Sequence, residues 1–330
     1  MQTPWTPGRR SLIVAGLSLP ALARAQSDGV EQRWVPTRAL RLLVPFAPGG
    51  PSDTFGRIFA EAFSAQLGQS VAVENRAGGG GVVGVDAIAK ARPDGYTLGI
   101  TGASALVVAP ALPQPMPFKV HEDLANLTPV VRVRQCVVVN AQSPYRTLTD
   151  LVTAAKTQRD PLLIASSGAT SALATALLAQ EAGVELTDVR YPGAAPALTD
   201  LLAQRVVGTI VDLPVALGHI RGGDLRGIAI TSGERARELP DVPTASEQGL
   251  PGLATDNWYG LAAPGHTPEH ILRSLHTSAL AALRSPQLAQ AFAARAGEPL
   301  PMTREEFTAF LRAEERKWTP LVRASGMTSL

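Results

Sequence analysis

The chain has 330 residues, 45% of them hydrophobic, which is apolar material enough for two domain cores and too much for a disordered polymer. Thirty basic residues against twenty-eight acidic ones leave a formal charge of +2, and no dense Lys/Arg run or basic-aromatic interleaving occurs, so a nucleic-acid groove is excluded. The single cysteine, Cys136, cannot form an internal disulfide and sits in an apolar run, where packing is its role.

Arg9-Arg10 precede an apolar run from Leu12 to Leu22, and Ala23-Arg24-Ala25 follows as a small-x-small cleavage site. Residues 1–25 therefore read as an export signal cut after Ala25. The run, at about eleven residues, falls short of the roughly twenty that span a bilayer. The paired arginines suit a twin-arginine route as well as an ordinary one. No later stretch is long and apolar enough to cross a membrane, so the mature protein is expected to be soluble and outside the cytoplasm.

Leu42-Leu43-Val44-Pro45-Phe46-Ala47-Pro48-Gly49-Gly50-Pro51-Ser52-Asp53 reads as strand, tight loop and helix start. Ser52 or Asp53 is placed to cap a helix whose apolar residues Phe55, Ile58, Phe59, Ala62, Phe63 and Leu67 recur at helical spacing, with Gly68 ending it. Such a loop offers free N–H groups and the positive end of a helix dipole to an anionic or strongly polar ligand. A second unit of the same design follows: strand Val71 to Val73, glycines Gly78 to Gly81, and a helix through Val82, Val85 and Ile88. Gly79, Gly81 and Gly84 satisfy G-x-G-x-x-G. The residue about twenty positions beyond is Ser104, not the acid a dinucleotide ribose requires, so no nucleotide cofactor is expected. Tyr96 to Thr101 is the next strand, ending in the polar loop Thr101-Gly102-Ala103-Ser104.

Val130 to Val139 is too long for one ordinary strand in a small sheet and marks a crossing from a first domain to a second. Beyond it strands and helices alternate: a capping box at Thr147 and Asp150, strand Leu162 to Ala165 ending at Ser166-Ser167-Gly168, a helix with Leu173 and Leu177, strand Val189 to Tyr191, a helix from Leu198 to Gln204, strand Val206 to Val211 ending at Asp212, and strand Leu225 to Thr231. This alternation builds a parallel α/β sheet covered on both faces. Strand Asn257 to Ala263 and helices Ile271 to Leu283, Gln287 to Ala296 and one opened by Thr303 and Glu306 return to cover the first domain.

Catalytic signatures are not evident. His270 and His276 are six apart and do not share a helix face, there is no G-x-S-x-G elbow or P-loop lysine, and Glu305-Glu306 and Glu314-Glu315 read as the solvated face of the last helix. The polar loops at strand ends instead divide between two sheets that face one another across a crevice. Small hydroxyls and backbone N–H groups outnumber charges there. The expected guest is a small polar acid held by hydrogen bonds and water rather than by ion pairs.

The blocks Val44 to Asp53, Val73 to Gly78, Pro93-Asp94-Gly95-Tyr96-Thr97-Leu98, Tyr191 to Leu202, Leu239-Pro240-Asp241-Val242-Pro243-Thr244 and Trp258-Tyr259-Gly260-Leu261 occur in the order found in the Bug/TctC extracytoplasmic solute receptors of tripartite tricarboxylate transporters, which the chain resembles after its signal. The resemblance implies a two-domain periplasmic-binding-protein fold, a Venus flytrap of two mostly parallel sheets flanked by helices. Domain 1 would comprise residues 38–136 and 257–330, and domain 2 residues 137–256. It implies a carboxylate gripped by Phe46, Gly49, Gly50, Ser52, Asp53, Gly78, Gly79, Gly80, Gly81 and Thr101, its distal end met by Ser166, Ser167, Gly168, Ser171, Tyr191, Gly193 and Asp212. It also implies a monomer that hands a small organic acid to membrane permease subunits, with no cofactor and no catalysis; a ligand sensor docking on a signalling partner is the alternative. Three departures from the family pattern, Pro192 for a basic residue, Val82 for asparagine and Ala174 for histidine, each remove polarity and point to a more apolar or aromatic acid than citrate.

Overall fold

The computed structural model describes residues 1–4 and 34–329; the export signal from residue 5 on and its cleavage site lie outside the described residues. The chain from residue 33 onward clusters as one unit. Its first half runs β1 (Leu40–Val44), α1 (Pro51–Leu67), β2 (Val71–Asn75), α2 (Val82–Ala89) and β3 (Thr97–Gly102), then a π-helical turn Ser104–Val108 continuous with the short α3 (Ala109–Ala111). Next come β4 (Leu124–Asn140), α4 (Leu148–Thr157), β5 (Leu162–Ser166), α5 (Ala169–Ala182), β6 (Leu186–Arg190), α6 (Ala194–Leu202), β7 (Gly208–Asp212), α7 (Leu213–Gly222) and β8 (Leu225–Ile230). The chain returns through β9 (Asp256–Pro264), α8 (Glu269–Leu283), α9 (Pro286–Ala293), β10 (Gly297–Pro299) and α10 (Arg304–Ala324).

The strands follow the order β2-β1-β3-β9-β4-β7-β5-β6, with β8 and β10 also on β4. The outer strands are parallel, β1 with β2 and β3 on one side and β5 with β6 and β7 on the other, whereas β4 and β9 run antiparallel to their neighbours. The parallel reading therefore holds for the flanks and fails at the centre. β4 is the shared rail: Leu124 to Arg134 pair with β9, and from Gln135 onward the strand pairs with β7 on one edge and β8 on the other. Its length, 17 residues, is that of two ordinary strands end to end.

Local chemistry accounts for the elements that frame the crevice. α1 buries Phe55, Phe59, Phe63 and Leu67 on one stripe against β1, β3 and α8, and Gly68 closes it in the left-handed conformation. Neither Ser52 nor Asp53 caps it: Gly50 is the N-cap, with no side-chain bond, and Pro51 occupies the first helical position. Both capping boxes, at Thr147 with Asp150 and Thr303 with Glu306, are formed. Gly84 sits where a Cβ would meet Pro45 Cα at 2.6 Å and the Arg76 carbonyl at 2.7 Å, so close packing of α2 on β1 explains that member of the glycine pattern. Cys136 is fully buried in β4, and burial pushes its thiol up to about 12, far from reactive. Glu314 departs from the solvated reading, since its Oε2 accepts both the Trp258 and Trp318 indole N–H groups at 3.1 Å.

Candidate functional site

The loops at the carboxyl ends of both parallel flanks converge on one open cavity of about 1370 Å³. That exceeds the roughly 300–1000 Å³ of a small-molecule pocket and leaves room for water around a small acid.

One wall is main chain. The β1–α1 loop contributes Phe46 to Ser52, and the β2–α2 turn contributes Ala77, Gly78, Gly80 and Gly81. Gly78 to Gly81 all have positive φ, a run that side-chain-bearing residues do not sustain. The Gly81 N–H closes the turn on the Gly78 carbonyl at 3.0 Å, and Ser104 Oγ donates to the Gly80 carbonyl at 2.8 Å. Pro51 has no N–H and the Thr54 N–H bonds the Gly50 carbonyl, so the amides of Ser52 and Asp53 are those α1 itself leaves without a partner.

The wall is fastened from behind. Asp53, only 4% exposed, accepts the Gly49 N–H at 3.0 Å, the Arg57 Nε at 3.0 Å and the Asn75 Nδ2 at 2.9 Å, while Asn75 also donates to the Phe46 carbonyl at 3.0 Å. Burial pushes the Asp53 carboxyl up, but Arg57, the Gly49 amide and Asn75 together bring it below its ordinary value.

The opposite wall is richer in side chains. It takes Ser167 to Ser171 from the β5–α5 junction, Tyr191 to Pro196 from the β6–α6 junction, and Pro214, Leu217, Gly218, His219 and Arg221 from α7. Tyr191 donates its hydroxyl to Asp200 Oδ2 at 2.8 Å, and Ser171 donates its hydroxyl to the Ile210 carbonyl. Where the walls meet, Asp212 accepts from Asn257 Nδ2 at 2.9 Å, Gln135 Nε2 at 3.3 Å and the Tyr259 hydroxyl at 3.4 Å, all four residues lining the cavity. Burial pushes the Asp212 carboxyl up to about 6 against these three donors.

Of the residues singled out from sequence, the cavity brings together Phe46, Gly49, Gly50, Ser52, Gly78, Gly80, Gly81, Ser167, Gly168, Ser171, Tyr191, Gly193 and Asp212. Asp53, Gly79, Thr101 and Ser166 are not on its lining. Asp53 acts behind the loop. Thr101 is fully buried with its hydroxyl toward Gly260, since strand alternation turns it away, and Gly102, Ala103 and Ser104 line the cavity instead. The buried Ser166 Oγ lies 3.5 Å from Thr175 Oγ1.

The departures from the family pattern also need correction. Ala174 is buried in the core beside β5 and Val82 packs in the α2 cluster, so neither sets the polarity of the cavity; Pro192 alone does. Nor is the cavity short of cations, because His219, Arg221 and Arg295 line it. Sequence reading passed over α7 altogether. Its signal was Leu213, Ala216, Leu217 and Ile220 at helical spacing, with Pro214 near the start and Gly223 in the left-handed conformation at the end.

The model of the tripartite tricarboxylate transporter family receptor, TctC, matches residues 55–327. The chain belongs to this family. Protein BugT of Bordetella pertussis is 36% identical to this TctC receptor over 294 residues, covering 88% of this chain and 90% of BugT. The solved structure of R. palustris Rpa4515 with adipate aligns with a TM-score of 0.82 at 31% identity, over 89% of this chain and 99% of that one. MatC from Rhodopseudomonas palustris with bound malate aligns at 0.78 and 28% identity, over 87% and 99%. The mixed α/β architecture is the two-domain periplasmic-binding-protein fold of these TctC relatives.

Proposed function

We propose that this receptor captures a small organic carboxylate in the cavity, in the periplasm, and delivers it to the membrane subunits of a tripartite tricarboxylate-type transporter. One observation carries the reading: α1, α5, α6 and α7 all begin at the cavity, so four positive helix ends and their unpaired amides bear on one space. A carboxylate there is stabilised by fixed dipoles that need no reorganisation. The adipate and malate of the related structures are acids of this class. Lobes of residues 38–136 with 257–330 and of residues 137–256 would close on the ligand, which accords with the exchange of partners along β4 after Arg134 and the start of β9 at Asp256. The proximal carboxylate would sit on Gly49, Gly50, Ser52, Gly78, Gly80 and Gly81, and the remainder of the ligand on Ser167, Gly168, Tyr191, Gly193 and Asp212.

Thermal-shift measurements with mono-, di- and tricarboxylates, amino acids and sugars test the proposal. A bound acid at about 100 times its Kd adds about 2.7 kcal/mol of stability, well within detection. Stabilisation by carboxylates alone is the expected result; stabilisation only by uncharged sugars would overturn it.

A further inference from the structure

We infer that Arg221 and Arg295 form a second anion subsite at the rim of the cavity, one that takes the far carboxylate of an extended diacid. The inference rests on the carboxylate-receptor reading above and narrows its ligand to acids with two charged ends.

Arg221 lies in the last turn of α7, on the face shared by Pro214 and Gly218, while Leu213, Ala216 and Leu217 of the same helix are buried in the core. The cavity follows that face from Asp212, at its inner end, to Arg221. The nine helical steps from Asp212 to Arg221 span about 13 Å. Arg295 follows α9, in the turn before β10. That turn is pinned on both sides. Ala296 is buried with Leu213, Ala216 and Leu217 of α7, and Phe292 packs edge-on against Phe55 of α1 at 5.1 Å between ring centroids. Ala296 holds φ +54, a left-handed conformation that a non-glycine residue adopts only where its surroundings impose it, in the turn that carries Arg295 on the cavity lining.

Neither guanidinium has a carboxylate within ion-pairing distance among the described residues, whereas Arg41, Arg57, Arg205 and Arg235 each do. His219, the remaining basic residue of the lining, lies 3.5 Å from Asp224. Arg295 donates only to the Ala291 carbonyl, at 3.3 Å, which leaves the other edge of its planar fork unused. Both cations are exposed on the lining of one cavity, so an anion that reaches them meets two guanidinium forks with no carboxylate partner. A carboxylate is the planar group their forks match. The loss of a basic residue at Pro192 is thereby made good from elsewhere in the fold.

Isothermal titration of the purified receptor with adipate and with hexanoate, an acid of equal length and one charge, tests the subsite. The wild type is expected to prefer adipate by about tenfold or more. Arg221→Gln and Arg295→Gln should each lower that preference, and the double variant should abolish it while hexanoate binds within about twofold of wild type. A preference that survives in the double variant, an equal loss for both acids, or equal wild-type binding of the two would overturn the subsite and leave the carboxylate reading standing. Failure of the wild type to bind any carboxylate in the thermal-shift panel would overturn both.

Discussion

The two walls of the cavity are made of different material. From Phe46 to Ser52 and from Ala77 to Gly81 the lining is backbone and small residues, shaped by positive φ angles and tied down by Asp53 and Asn75 from outside the cavity. From Tyr191 to Arg221 it is hydroxyls, a carboxyl, apolar side chains and a guanidinium carried on helices. Amides in a fixed turn recognise what every carboxylate has in common, and no single side-chain replacement on the lining erases them. Side chains on a helix can change one at a time without disturbing the frame. A wall of backbone and a wall of side chains would therefore let ligand choice be altered on one side of the cavity without disturbing the other.

The sharpest contrast is between two aspartates, and pH separates them. Asp212 is held protonated to about pH 6, against 3.8 for the unperturbed group. Between about pH 4 and pH 6 the unfolded chain has lost that proton and the folded chain keeps it, so this group's contribution to stability falls as pH rises through the window and levels off above it. The shift of roughly two units corresponds to about 3 kcal/mol. Chemical denaturation of wild type and Asp212→Asn across pH 3.5 to 8 should show their stability difference moving in favour of the variant by an amount of that order, all within the window. Asp256, also raised to about 6, contributes equally to both proteins and drops out of the difference.

Asp53 has the opposite sign. Its lowered pKa contributes stability that is present above the ordinary aspartate value and lost as pH falls through the folded-state value. Arg57 is half exposed, so solvent screening reduces what the pair contributes, and Asp53→Asn is expected to cost about 1–2 kcal/mol at neutral pH. That cost should vanish on acidification, and ligand affinity should fall with it because the Gly49 loop loses its tether. Equal pH profiles for the two variants would erase the distinction drawn between the walls.

The backbone wall was readable in the sequence because its cause is local. Glycines that follow a β-branched run and precede a 3.6-period stripe have few other uses, and Phe55, Phe59 and Phe63 gave that stripe directly. The side-chain wall was read only in part. Thr101 against Gly102 is a question of strand phase, settled by pairing with β9 and not by composition. Pro214, Gly218 and Gly222 masked α7, although its apolar spacing was present. Arg221 and Arg295 are separated by a β-strand, the crossing β9 and two helices, and tertiary packing, with Ala296 in one cluster with α7 and β10 paired with β4, brings their elements together. Ala174 shows the converse error: a position that matters in an aligned pattern is, in this chain, simply core.

The smallest expected effect tests whether the walls act independently of the scaffold behind them. Thr303 Oγ1 accepts the Glu306 N–H at 3.1 Å and Glu306 returns the bond to the Thr303 N–H at 2.8 Å, opening α10. That helix sets Phe307 edge-on against Trp258 at 5.8 Å between centroids, next in β9 to Tyr259 of the cavity. Thr303→Ala removes the cap and is expected to cost about 1 kcal/mol of stability, read as a lowered denaturation midpoint with unchanged slope. Affinity for a carboxylate should stay within about twofold, because Asp53 and Asn75 hold the backbone wall and Ala296 holds the rim without reference to α10. If affinity falls by as many kilocalories as stability does, α10 and the cavity form one cooperative unit, and the rigidity ascribed to the glycine turns belongs instead to the packing behind β9.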